Sequence, residues 1–141
     1  PHPPRDYRMP HIAIWQLTPL DGVTPQAMPT LSETLRATML DSNWFRVIAR
    51  DEMQKVLKEQ EVSLSTDCDS TDCAVEYGKM LSVEKIAVGS VAKLGSTYQV
   101  VLKLIDVGTG EVERMGQARK SGGKEILFDL VERAACNLFS R

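Results

Sequence analysis

Aromatic side chains make up only 6% of this 141-residue chain, histidine occurs twice, and cysteine occurs three times. So few aromatics leave little for a base-stacking platform or a ligand cage. No apolar run approaches the ~18 residues that a membrane-spanning helix needs. An excess of one charge sign is missing as well: 17 Lys and Arg stand against 19 Asp and Glu, for a formal net charge of -2. Nothing in that balance calls for nucleic acid or an anionic membrane as partner. What remains, 43% apolar and 26% charged with a mean hydropathy of -0.19, is the composition of one soluble globular domain. Collagen-like, mucin-like and disordered classes are excluded. A chain of this size buries roughly two-thirds of the surface that its unfolded form exposes, enough for a self-sufficient core.

Proline gathers at the start, with four of seven in residues 1–10. That stretch reads as an extended arm, since proline donates no backbone hydrogen bond. The expected division is therefore an arm over 1–10 and one α/β domain over 11–141. The chain opens on Pro1 rather than an initiator Met and reads as processed or trimmed, so the lack of a leader says nothing about compartment.

Within the domain, His11–Leu17 is apolar on both alternating faces, as in a strand covered on both sides. Pro19–Pro29 reads as a loop. A helix follows over Leu31–Asp41, with Thr30 and Glu33 placed as a capping box. Phe45–Ala49 is a second strand, and a strand, helix, strand unit of this length predicts a parallel crossover. Asp51 is placed to cap a second helix that buries Met53, Val56 and Leu57, and Asp72–Leu81 has helical spacing again. From Lys85 the period becomes two: a strand to Ala92, a turn at Gly95-Ser96, a strand from Tyr98 to Ile105, a turn over 106–110, and a polar strand Glu111–Arg119. A final helix carries Leu127, Leu130, Val131, Ala134 and Leu138. The expected fold is a single mixed sheet, a parallel crossover unit plus an antiparallel three-stranded meander, with packed helices in the order βαβααβββα.

The most specific local feature is Asp67-Cys68-Asp69-Ser70-Thr71-Asp72-Cys73. Zinc would find only two sulfur ligands there, with Cys136 distant and no histidine at finger spacing. A calcium loop starts well with Asp67 and Asp69 but puts Gly78 where a bidentate glutamate belongs. The preferred reading is a Cys68–Cys73 disulfide, worth on the order of 2 kcal/mol by chain entropy and implying an oxidising compartment. Two reduced cysteines in a cytosolic protein remain the alternative. Cys136 shares a helix face with Asp129, Glu132 and Arg133 and reads as the odd thiol, exposed for intermolecular pairing or packed on another element.

No catalytic set emerges. His2 lies in the arm and His11 at a strand start, neither beside a nucleophile and orienter. Gly89-Ser90 lacks the nucleophile elbow, and Ser90, Lys93 and Lys103 are ordinary strand positions. Ser121-Gly122-Gly123-Lys124 precedes a helix, yet Ala118 replaces the first phosphate-loop glycine and Glu125 adds a negative charge. Neither enzyme activity nor a cofactor or metal is implied.

Three stretches carry a resemblance: Leu31–Gln60, with L-x-x-x-L then F-R-V-I-A-R-D-E-M-Q-K-V-L-K-E-Q; Cys68–Gly89, with C-x-x-x-x-C-A-V-E-Y-G-K-M-L then K-I-A-V-G; and Leu94–Val112, with L-G-S-T-Y-Q-V-V-L-K-L-I-D-V-G-T-G-E-V. Together they resemble the bacterial cell-envelope domain shared by CsgG-type curli-secretion lipoproteins, the amino-terminal domain of TolB and the lipoprotein activators of penicillin-binding proteins. The resemblance implies a non-enzymatic module that binds other envelope proteins in the periplasm or at the outer membrane, with many members lipid-anchored upstream of the domain. The paired alternating segments that a pore-forming relative uses for a transmembrane barrel are missing from this sequence.

The expected function is thus an interaction or assembly module of a secretion or envelope-maintenance complex. The polar strand offers a docking edge at Glu111, Glu113, Met115, Gln117 and Arg119. Other envelope proteins or further copies of the chain are the expected partners. The alternatives are a ligand or nucleotide sensor with an anion at Gly122, Gly123 and Lys124, and an activator of a peptidoglycan synthase.

Overall fold

The computed structural model describes residues 3–139, so Pro1 and His2 of the arm lie outside the described residues. Pro3–Pro10 forms neither helix nor strand. It turns where the Tyr7 amide donates to the Pro4 carbonyl at 3.0 Å, and it sets the Tyr7 ring edge-on to Trp44 with centroids 5.1 Å apart.

The strand expected over His11–Leu17 is shortened to β1 (His11–Ile14), and a two-residue β2 (Thr18–Pro19) follows it into the segment expected as a loop, both running parallel to β4 (Lys85–Leu94). Between them the register slips by one residue, because Ile14 faces Ala87 whereas Thr18 faces Ser90. The slip is a bulge held by two bonds. The Trp15 amide still reaches the Ala87 carbonyl at 2.9 Å, and the Leu17 amide is taken by the Ser32 hydroxyl at 2.9 Å.

Helix α1 (Met28–Asp41) starts earlier than the capping box implies. Its apolar stripe already begins at the buried Met28 and runs through Leu31, Leu35 and Met39, and Pro29 is tolerated in a first turn. Thr30 therefore lies inside the helix rather than capping it, and Glu33 pairs with Arg36. Arg36, itself buried, donates to the Ile14 carbonyl at 2.9 Å and ties α1 to the end of β1.

Strand β3 is short (Arg46–Val47) and runs parallel to β1. Helix α2 (Arg50–Glu59) follows with Ala49, not Asp51, as its cap residue. Asp51 and Glu52 sit in the first turn, where their charge favours the helix dipole. Helix α3 covers Thr71–Met80. Then come β5 (Thr97–Asp106), β6 (Val112–Ser121) and α4 (Ile126–Asn137), with β5 antiparallel to both β4 and β6.

The result is one open mixed sheet in the order β3-β1-β4-β5-β6, with the short β2 also paired to β4. It agrees with the expected class and, β2 apart, with the expected order. Helices α1 and α4 close one face over Ile12, Ile14, Val91, Tyr98, Val100 and Leu102. Helices α2 and α3 close part of the other over Ala13, Trp15, Ile86, Val88 and Ile105. Fully burying side chains of this size is worth about 1.5–3 kcal/mol each, so this two-sided core supplies most of the driving force.

Candidate docking surface

The alternation of β4, β5 and β6 presents two unlike faces. Val91, Tyr98, Val100, Leu102 and Gly116 are buried beneath α1 and α4. On the opposite face the register lines up cross-strand rows: Leu94 with Thr97 and Ser121; Ala92 with Gln99 and Arg119; Ser90 with Val101 and Gln117; Val88 with Lys103 and Met115. Helix α3 and the bridged loop cover this face only near Val88. Beyond it, Leu94 is 86% and Met115 57% exposed, Gln117 and Arg119 are exposed, and Ala92, Gln99 and Val101 are half-buried.

Polar side chains keep these rows in place. Gln99 donates to Gln117 Oε1 at 3.2 Å, and Thr97 and Ser121 share a hydroxyl bond at 2.9 Å. Lys103 donates to the Asp69 carbonyl at 3.1 Å, fastening the bridged loop to the rim. That loop is fixed from within as well. The Trp15 indole donates to the Thr66 carbonyl at 2.8 Å and stacks on Tyr77 at 4.3 Å, and the Cys68 amide donates to the Thr18 hydroxyl at 3.0 Å. Cys68 and Cys73 are joined as a disulfide across the entry to α3. No group of three or more His, Cys, Asp or Glu among the described residues is placed to hold a metal ion.

Strand β6 stands at the end of the sheet order. Glu113, Met115, Gln117 and Arg119 are exposed along it, while Glu111 precedes the strand and its carbonyl accepts the Asp106 amide at 2.9 Å. The outer edge is blunted at Gln117, whose carbonyl is taken by Asn137 of α4 at 2.8 Å. Glu113 is the extra residue of a bulge, since Leu104 faces Arg114 and Ile105 faces Val112. The bulge turns Glu113 toward Lys85, whose ammonium lies 2.7 Å from both Glu113 and Asp106. One cation thus joins β4, β5 and β6. Its hydrogen bond, with that of the Thr109 amide, holds the Asp106 carboxyl down at about 2. Burial works against the Lys85 ammonium, but the bonds to Asp106 and Glu113 outweigh it and raise its pKa.

Other residues singled out in the sequence lie apart from this surface. Cys136 is exposed on α4, and His11 is exposed at the start of β1, 3.8 Å from Glu84. Lys93 points to the helix-covered side of the sheet, with its ammonium 5.1 Å from the Tyr98 ring centre. At the glycine pair before α4, the Glu125 carboxylate folds back over Gly123, so closely that a Cβ there would meet Oε2 at 2.5 Å. A negative charge already occupies the place proposed for an anion. Sequence reasoning missed Leu94, Gln99 and Val101; for Gln99 the polarity it shares with the alternate residues Thr97 and Lys103 was the available signal.

Comparison with known proteins adds the relationship. The family model described as curli production assembly/transport component CsgG matches residues 13–101, well over half of the chain. No curated protein sequence matches. Among solved structures, the LpoB C-terminal domain from Salmonella enterica superposes with a TM-score of 0.68 at 13% identity, covering 83% of this chain and 87% of that one. A PelC dodecamer from Paraburkholderia phytofirmans gives 0.62 at 19% identity, covering 98% and 94%. TolB from Acinetobacter baumannii gives 0.56 at 11% identity, covering 94% of this chain and 29% of that one. These likenesses establish a shared fold.

Proposed function

The chain belongs to the curli production assembly/transport component (CsgG) family, and on that premise we propose that it is a non-enzymatic interaction module of the bacterial cell envelope, acting in the periplasm or at the periplasmic side of the outer membrane. The observation that carries this reading is the open face of β4–β6: ordered rows of mixed polarity around Leu94, Val101 and Met115, left uncovered by the chain's own helices. Faces of this kind are where proteins bind proteins. The Cys68–Cys73 bridge fits an exported setting, because such bonds persist in oxidising compartments. No helix among the described residues is long and apolar enough to cross a membrane.

We assign the docking role of Met115, Gln117 and Arg119 to their side chains on this face, since Asn137 obstructs strand addition at Gln117, whereas Glu113 is turned by the bulge to the Lys85 ammonium on the other side of the sheet. The partner is another envelope protein of a secretion or envelope-maintenance complex, or a further copy of the chain. The PelC relative, solved as a dodecamer, supports the second option.

The test is site-specific photocrosslinking in cells, with a photoreactive residue at Met115 or Gln117 and a control at Glu132 on α4. Discrete protein adducts from the two sheet positions and none from the control are expected, and adduct mass tells self-association from a foreign partner. Equal labelling from all three positions, or none, would overturn the assignment.

A further inference from the structure

On the opposite side of the sheet from the docking face, a cleft of about 280 Å³ opens between the segment before α1, the start of α1, Tyr98 of β5 and the start of α4. Its walls are Val23, Ala27, Leu31, Tyr98, Leu127 and Phe128. The interior is apolar, and nearly double the roughly 150 Å³ cavity that admits a benzene ring. Phe128 is 46% exposed at its margin, an apolar surface that a bound molecule would cover.

The rim is cationic. Register places Lys93 of β4 and Lys120 of β6 directly across from Tyr98 on its two sides, all three on the same face, and Lys124 lines the cleft itself. All three lysines are exposed and so keep their charge in water while flanking the apolar opening. Two carboxylates belong to the same neighbourhood: Glu125, which lines the cleft beside Lys124, folds back over Gly123, and Asp21 precedes Gly22 in the turn, its carbonyl accepting the Lys93 amide. Three cations against two anions leave one positive charge beside an apolar slot.

An inorganic phosphate gains nothing from the apolar walls, and a neutral hydrocarbon gains nothing from the lysines. We propose that this cleft binds a single-chain fatty-acid anion of medium length, its tail between Leu31, Leu127 and Phe128 and its carboxylate among Lys93, Lys120 and Lys124. The monoanionic head matches the single excess charge, and the volume suits one unbranched tail. The site lies apart from the docking face and does not depend on that face's role.

The probe is sodium decanoate below its micelle threshold, titrated into the full chain and followed by amide and aromatic NMR shifts and by melting temperature, with decanol and butyrate as comparisons. Decanoate should bind saturably and raise the melting temperature, with shifts centred on Leu31, Tyr98, Leu127 and Phe128. Butyrate should fail for want of a tail. Decanol, and decanoate with a Lys93→Glu/Lys124→Glu variant, should bind about fivefold more weakly, the scale of an exposed charge contact. Thr30→Trp, which blocks the mouth from an exposed helix position, should abolish binding while the protein melts near the wild-type temperature. Shifts centred elsewhere in the wild-type chain, equal affinity for decanol and decanoate, or no saturable binding would each overturn the proposal. The shift map and the alcohol comparison need no variant to fold.

Discussion

Where α4 crosses β6, the two backbones approach so closely that a Cβ on Gly116 would run into the Ala134 carbonyl oxygen and stand 3.0 Å from the Leu138 amide nitrogen. The obstacle is backbone, which cannot rotate aside as a side chain does. In Gly116→Ala, α4 has to retreat by about 1 Å to restore ordinary contact distances, and a gap of that size forfeits a quarter to a half of each affected dispersion contact. Those contacts involve Val131, Ala134 and Leu138, all fully buried. We expect a cost of about 3 kcal/mol, at the upper end for an overpacked site. Gly95→Ala is the control. Its φ of +61° penalises alanine, but nothing lies within 4 Å of the added carbon, so the cost should be about 1 kcal/mol. Urea unfolding followed by circular dichroism separates them: with a slope near 2 kcal/mol/M, the midpoint should fall by about 1.5 M for Gly116→Ala and about 0.5 M for Gly95→Ala. A Gly116→Ala midpoint no lower than that of Gly95→Ala would refute the close-approach argument and with it the rigid α4 backing of the docking face.

Two further outcomes test the sheet rim and the bridge. Asp106 titrates at about 2 in the fold against 3.8 in the unfolded chain, so its stabilisation is present in full above about pH 4 and is lost as pH falls toward 2. Allowing for solvent screening this amounts to about 1 kcal/mol, and the stability gap between wild type and Asp106→Asn should close between about pH 6 and about pH 2.5; a constant gap would contradict it. Removing the Cys68–Cys73 bridge, which closes a separation of 5 residues, should cost about 2 kcal/mol, and reduction of the denatured native protein should expose two further cysteines to alkylation. Equal labelling before and after reduction would rule the bridge out.

The meander was legible because its code is local: alternating Tyr98, Val100, Leu102 and Leu104 need one buried face, and Gly95-Ser96 and the 106–110 segment supply the turns. The stripe of α4 was legible for the same reason. Misreadings fell where a tertiary contact outweighed a local preference. Thr30 and Glu33 have the spacing of a capping box, yet burying Met28 against the sheet extends α1 past them. His11–Leu17 is apolar on both alternating faces, yet the strand stops at Ile14 and the Ser32 hydroxyl takes the Leu17 amide. Of the docking surface, the exposed β6 positions could be read from polarity, whereas the contribution of Leu94 and Val101 could not, because an apolar strand residue looks the same whether or not a helix covers it.

The sequence by itself determined the α/β class, the antiparallel meander, the local pairing of Cys68 with Cys73 as the preferred reading, and the resemblance to an envelope family. The first three rest on neighbours within about a dozen residues or on composition, and the resemblance rests on three motif stretches spread from Leu31 to Val112. Only the tertiary structure decided which half of the sheet stays open, that Lys85 binds β4, β5 and β6 through Asp106 and Glu113, and that an apolar cleft lined by Lys124 opens at Tyr98, whose register partners are Lys93 and Lys120. These depend on strand register and on where helices dock, and such long-range placements follow from the packing of the whole core rather than from any one segment.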